Sequence, residues 1–258
     1  MNLFSTEISI LWPALIAGVL VVISHVPLGQ QVLARGIVFI DLAIAQVAGL
    51  GVVAANRFEL GVEGWGAQAA AGAAALAGAL LLTWTERKRP EAQEALIGIL
   101  FVLASAAQIL LLANDPHGGD YLKDLLSGQI LWVSSDQLIR TAILTGIFAV
   151  VWFLWRERIG RVGFYVLFAI VVTASVQLVG VYLVFTSLIV PAVATYRFAR
   201  GRQLAIGYGL GIASYVVGLA LSVVMDLPSS ALIVWTMAVL GLFVHLCANG
   251  KQAAAQEG

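Results

Sequence analysis

The sequence has too little charge to be a water-soluble domain. Charged residues make up 11% of its 258 positions, against roughly 25% in ordinary soluble domains. It has one cysteine, Cys247, which excludes a disulfide framework and a cysteine-based metal cluster. It has no excess of either charge, with 14 Lys and Arg against 14 Asp and Glu. A global basic field for nucleic acid is therefore absent, and no nucleic-acid partner is expected. It has no phosphate-cradling P-loop, no HExxH and no GxSxG. A chain without a Walker motif does not hydrolyse ATP by that route. No pair of side chains shows nucleophile–base spacing, so an enzyme is not expected.

What the chain does have is apolar sequence. Hydrophobic residues make up 61% of it, and the mean hydropathy is +0.97. Several stretches approach the roughly 20 residues that cross a bilayer as a helix. None shows the short alternation of a barrel strand. Reading from charge to charge gives spans over 8–24 continuing to 34, 36–55, 66–84, 96–113, 137–155, 163–179, 181–196, 204–225 and 231–248. The expected fold is all-α, a polytopic transmembrane bundle of eight or nine spans. The segment Val181–Tyr196 is expected to be a short broken helix, set off by Gly180 and containing Pro191. Residues 1–250 are read as one transmembrane domain and 251–258 as a short, disordered polar tail. Met1–Glu7 carry no positive n-region, so the first apolar segment is read as a retained helix.

Cationic residues in the connections set the orientation. With the N-terminus outside and nine crossings, the inner ends hold Arg35, Arg87, Lys88, Arg89, Arg156, Arg158, Arg161, Arg197, Arg200, Arg202 and Lys251. Only Arg57, Lys123 and Arg140 stay outside, so eleven of the 14 cations are inner. The C-terminus is then cytoplasmic. The outer connections are acidic instead: Glu59, Glu63, Asp115, Asp120, Asp124, Asp136 and Asp226.

A polar group within a span is costly, which makes it a candidate for function. Asp41, Gln46, Gln108, Gln177, Thr186 and Ser187 are such groups. His25 is expected at a helix break made by Pro27 and Gly29. His25, Asp41 and Gln46 would suit a cation path, since oxygen and imidazole donors fit divalent ions. The structural alternative pairs Asp41 with Arg35 and joins Gln46 to a neighbouring helix. His245 and Cys247 form no cluster with metal-ligand spacing and are read as structural. Asp115-Pro116-His117-Gly118-Gly119-Asp120 reads as a turn or as a weak external metal site. Gly207, Gly211, Ser214 and Gly218 form a small-residue face for close helix packing, and Ala67–Ala79 offers the same.

Five segments, in order, resemble the permease subunit of bacterial metal-ion (zinc, manganese or iron) ABC importers. Pro27-Leu28-Gly29 through Arg35 to Gly51 resembles that family's first-helix exit and its G-D-A-L-S-H-A helix. Glu94-Ala95-Leu96-Ile97-Gly98-Ile99-Leu100-Phe101 is similar to its acid-x-x-x-G-I-x-F segment. Leu125–Asp136 is similar to L-x-G-D-I-L-x-V-S-x-x-D, and Val179–Ala194 to V-G-x-L-L-V-x-A-L-L-I-I-P-A-A-T-A. Asp226-Leu227-Pro228-Ser229-Ser230-Ala231 is close to D-x-P-x-G-A.

The resemblance implies a permease in a bacterial inner membrane that works as a homodimer or paired permease, with the path along the dimer axis. Cytoplasmic ATPase subunits would use the ATP, so no cofactor is held permanently. An extracytoplasmic metal-binding protein would deliver the ion near Asp115, Asp120 and Asp226. Asp41, Gln46, His25 and Glu94 become candidates for the translocation path. Arg156, Glu157, Arg158 and Arg161 become candidates for ATPase docking, with Arg87–Glu94 and Arg197–Arg202 as alternatives. The sequence departs from the family at two places. Gln46 stands where the family aligns a His, which exchanges a transition-metal ligand for a neutral amide. Only Arg156–Val162 remains where the family carries about twenty residues with a short docking helix. The second departure leaves open an alternative: a carrier, channel or assembly protein on the same scaffold, uncoupled from any ATPase.

Overall fold

The computed structural model describes residues 3–58, 65–155 and 158–256. Among these residues it is all-helical. The ten α-helices are α1 (Leu3–Arg35), α2 (Ile40–Arg57), α3 (Trp65–Lys88), α4 (Gln93–Leu112), α5 (Gly118–Ser127), α6 (Ser135–Trp155), α7 (Arg161–Val179), α8 (Val181–Thr195), α9 (Arg200–Met225) and α10 (Ser229–Gln256). Single 3-10 turns lie at Pro90–Ala92 and Ile130–Trp132. Helices are the solution apolar sequence demands in hydrocarbon, because each backbone amide is satisfied within its own segment. Eight of them are long and apolar enough to cross a membrane: α1 to α4, α6, α7, α9 and α10. α8 has 15 residues, about 22 Å at 1.5 Å per residue. Much of α4, α6 and α10 faces outward, with only 17%, 22% and 22% of their apolar windows buried. Apolar side chains such as Leu110, Ile143 and Trp235 are exposed there, as expected of helices solvated by lipid.

The chain forms two compact units. One holds residues 1–35, 127–145 and 178–258; the other holds 36–126 and 146–177. α6 gives its first half to one and its second half to the other.

In the first unit α1 packs on α8 and α9, and α9 packs on α10. A Cβ at Gly207 would lie 2.8 Å from Val26, and one at Gly211 2.8 Å from Val22. A Cβ at Gly218 would instead lie 2.6 Å from the backbone of Ile233. The small-residue stripe is thus divided: its first half admits α1 and its last position admits α10. Small residues let backbones approach in this way where lipid leaves no hydrophobic drive between helices.

The expected break beside His25 does not occur. α1 runs without interruption through Pro27 and Gly29. Proline removes the amide that would bond the carbonyl four residues earlier, here Ile23. The Tyr208 hydroxyl of α9 donates to that carbonyl at 3.3 Å. A neighbouring helix thus satisfies the group that proline orphans, and α1 stays whole. Gly29 is where α1 meets α8, since a Cβ there would collide with the Leu188 carbonyl.

The expected break near Val181–Tyr196 is a single residue. α7 ends at Val179, Gly180 has φ +82°, and α8 then runs continuously past Pro191. Gln177 lies inside α7. The C-terminal tail also departs from expectation, because α10 stays helical to Gln256. Ala253, Ala254 and Ala255 are strong helix formers.

In the second unit α2 packs on α3 and α4. Gly51 lies against Ala70 and Ala74, and Gly78 against Val47 and Ile44. The Ala-rich α3 therefore serves as a smooth wall for α2.

Candidate functional site

Asp41 lies in the first turn of α2, where the unpaired amides of a helix start favour an acid. It is buried, 1% exposed, and its Oδ1 has no hydrogen-bond partner among the described residues. Glu94, in the first turn of α4, reaches the same end of α2. Its Oε1 accepts the Phe39 backbone N–H at 3.2 Å, so it caps α2 from a neighbouring helix. No side chain of the α2 start itself does this. Glu94 Oε2 is buried without a partner. The start of α2 thus carries two carboxylates, each with a vacant oxygen.

Gln46 lies one turn further along α2 and is engaged elsewhere. Gln108 Nε2 of α4 donates to its Oε1 at 2.7 Å and to its backbone carbonyl at 3.0 Å. Gln108 is fully buried. This amide pair ties α2 to α4, the structural alternative for Gln46.

His25 belongs to the first unit. It is fully buried, and its Nδ1 lies 2.9 Å from the Val21 carbonyl and 3.0 Å from Ser24 Oγ. A carbonyl only accepts, so this contact places the proton on Nδ1 and the lone pair on Nε2. Nε2 has no partner among the described residues. A carbonyl-oriented imidazole with a free Nε2 is the form that binds metals. Among the described residues, however, no three His, Cys, Asp or Glu side chains gather into a metal site.

On one face of the second unit, Asn56, Arg57, Asn114, Asp115, His117 and Tyr121 line a cavity of about 510 Å³. Asp115 Oδ1 accepts the His117 backbone N–H at 2.9 Å, and Gly118 N–H bonds the Asp115 carbonyl. The segment is thus a turn that starts α5. Burial pushes the Tyr121 phenol above its usual range. In the first unit, Ser127–Trp132 and Leu227–Ser230 line a cavity of about 310 Å³.

The family model described as the ABC 3 transport family matches residues 7–162 and 157–248. The chain belongs to the ABC 3 transport family. It is 26% identical over 242 residues to the uncharacterized membrane protein slr2045 of Synechocystis sp., covering 86% of this chain and 84% of that protein. Its fold is similar to PsaBC from Streptococcus pneumoniae, solved in complex with Fab. That match has a TM-score of 0.76 and 22% identity, over 94% of this chain and 95% of that one. It is also similar, with a TM-score of 0.51 and 14% identity, to an inward-facing structure of a metal-chelate type ABC transporter. There it covers 94% of this chain and 77% of the other.

For an ABC 3 chain this is therefore a multi-pass permease, and several sequence features gain a place. The third and fifth resembling segments, distant in sequence, meet at the smaller cavity. Of the docking candidates, Arg156 and Glu157 lie outside the described residues. Arg158 is exposed in the turn after α6, and Arg161 Nε is held 3.3 Å from Glu86 of α3. His245 stacks on Tyr196 with ring centroids 5.9 Å apart, and Cys247 is exposed.

The sequence reading missed Gln93. It is 3% exposed. Its Nε2 donates to the Leu82 carbonyl at 3.0 Å and to the Tyr165 hydroxyl at 3.2 Å. Its Oε1 accepts from Thr85 at 2.9 Å. A glutamine at the start of an apolar run was the available signal, but its partners lie on α3 and α7.

Proposed function

We propose that this ABC 3 permease carries a divalent metal ion (zinc, manganese or iron) or its chelate into the cytoplasm, driven by separate ATPase subunits. The observation that carries this reading is Asp41, a fully buried acid with a vacant oxygen inside a membrane span. Burying an acid in hydrocarbon is expensive, and an acid retained there marks an ion path. In the same unit Glu94 Oε2 is a further donor available to a passing ion; in the other unit His25 Nε2 is likewise without a partner among the described residues. Gln46 supports the reading less, because Gln108 occupies its amide. A small set of weak donors suits a cargo that must leave as readily as it enters.

In this reading the chain acts as one permease domain, with its N-terminus outside and C-terminus cytoplasmic. It pairs with a second permease copy in a bacterial inner membrane. An extracytoplasmic metal-binding protein delivers cargo to outer acids such as Asp115, Asp120 and Asp226. ATP is consumed by the partners alone.

The test is uptake into proteoliposomes that hold the permease and its ATPase, with Mn²⁺, Zn²⁺ and Fe²⁺ supplied in turn. ATP-dependent uptake of one of these is expected, and Asp41→Asn should lower it about tenfold or more, equivalent to ~1.4 kcal/mol on the passage step. Uptake indifferent to Asp41→Asn would overturn the assignment. A second reading, an ATPase-uncoupled carrier or channel, draws on the five residues separating α6 from α7. It predicts flux without ATP.

A further inference from the structure

We propose that the ATPase docks on the α3–α4 turn, residues 87–91, and not on the α6–α7 connection. This rests on the reading of the chain as an ATPase-driven permease and names the surface that partner grips.

The first observation is a lack of room. α6 ends at Trp155 and α7 begins at Arg161. Five residues cannot form a helix with a turn on either side, since one helical turn alone takes 3.6 residues. The cation at its far end, Arg161, lies 3.3 Å from Glu86 of α3.

The second observation is what the α3–α4 turn offers. Arg87, Lys88, Arg89, Pro90 and Glu91 are all exposed. Pro90–Ala92 forms a 3-10 turn, closed by Ala92 N–H to the Arg89 carbonyl at 3.1 Å. Arg87 and Lys88 form no ion pair among the described residues. Arg89 has only a 3.9 Å contact to Glu91, with both side chains at least 67% exposed. Such a pair contributes little and yields readily to a better partner.

The third observation is rigidity. Gln93 binds Leu82, Thr85 and Tyr165 at once. Arg89 N–H bonds the Thr85 carbonyl at 2.7 Å. Arg161 holds Glu86. These contacts tie the turn to α3 and α7. Directly after it stands Glu94, which caps α2, the helix that carries Asp41. Force applied at residues 87–91 thus has a short connected route to the buried acid. Attraction of anionic lipid headgroups to the same cations would need neither the rigidity nor the route. The occupant we assign is the cytoplasmic ATPase subunit, presenting an acidic surface to three consecutive cations.

The test uses the full-length permease co-expressed with the ATPase that supports its ATP-dependent uptake. The variants are Arg87→Glu/Lys88→Glu/Arg89→Glu and, separately, Arg158→Glu. All four positions are exposed, so both variants should elute as the parent does in detergent. The triple variant should lose about tenfold or more of the co-purified ATPase, ~1.4 kcal/mol of association. Arg158→Glu should retain it within about twofold. Reversing acidic residues of the ATPase to Lys should restore binding to the triple variant. Loss on Arg158→Glu with retention in the triple variant would overturn the proposal and leave the transport reading standing. Retention in both, with the triple variant losing only its affinity for anionic vesicles, would assign the turn to lipid. If no ATPase accompanies the parent chain in a cell that expresses its candidate partners, the transport reading falls, and this proposal with it.

Discussion

Gly128 and Gly180 touch backbone to backbone. Gly128 precedes the 3-10 turn that leads to α6, and Gly180 separates α7 from α8. Both have positive φ, +69° and +82°. A Cβ on Gly128 would collide with Val179 and Gly180, and a Cβ on Gly180 with Ser127 and Gly128. Each glycine is therefore required twice, once for its own conformation and once for its neighbour's space. Gly180→Ala should destabilise the protein by about 2 kcal/mol or more, combining the clash with ~1–3 kcal/mol of strain, since φ +82° with ψ 163° is a region essentially only glycine enters. Thermal unfolding in detergent reads this out. A melting temperature unchanged by either Gly128→Ala or Gly180→Ala would refute the contact.

Tyr208 should matter because Pro27 is there. Tyr208→Phe leaves the Ile23 carbonyl without a donor and should cost about 1 kcal/mol. In a Pro27→Ala background the restored amide bonds that carbonyl, and Tyr208→Phe should then cost close to nothing. The measurement is a double-mutant cycle on unfolding stability, and additive costs would show that the hydroxyl has another role.

The Gln46–Gln108 pair should show the cost of an orphaned amide. Gln108→Leu alone strands Gln46 Oε1 and should cost about 1–3 kcal/mol. Gln46→Leu/Gln108→Leu removes both polar groups and should recover part of that loss. A cycle in denaturant or heat reads the coupling. Metal uptake by the double variant should persist if Gln46 is structural.

Glu94 should behave as a positioning residue for α2. Glu94→Ala removes the acceptor of the Phe39 amide and should cost about 0.5–2 kcal/mol, the range for losing a helix N-cap. Glu94→Gln keeps an acceptor oxygen and should keep most of the stability. Unfolding stability separates this role from ion passage. Uptake lost by Glu94→Gln at unchanged stability would place its charge in the path.

The apolar runs and their helical form were legible in the sequence, because bilayer thickness and water exclusion act on each segment alone. A run such as Leu96–Leu112 has one stable form in hydrocarbon wherever it packs. The same locality explains what was misread. Pro27 announces a break only if nothing else serves the Ile23 carbonyl, and the donor, Tyr208, is 185 residues away. Gln46 stood open between a path residue and a tie to a neighbouring helix, and only the fold shows its partner, Gln108 of α4. Glu94 matched a motif, yet its contact with the α2 amide is a matter of how α4 lies beside α2. The charge deficit and the spans belong to the sequence, since they follow from transfer between water and lipid. Which buried polar group is spent on packing and which, like Asp41 Oδ1, is left without a partner among the described residues was decided by the tertiary structure. Hydrogen-bond satisfaction depends on neighbours that chain order does not reveal.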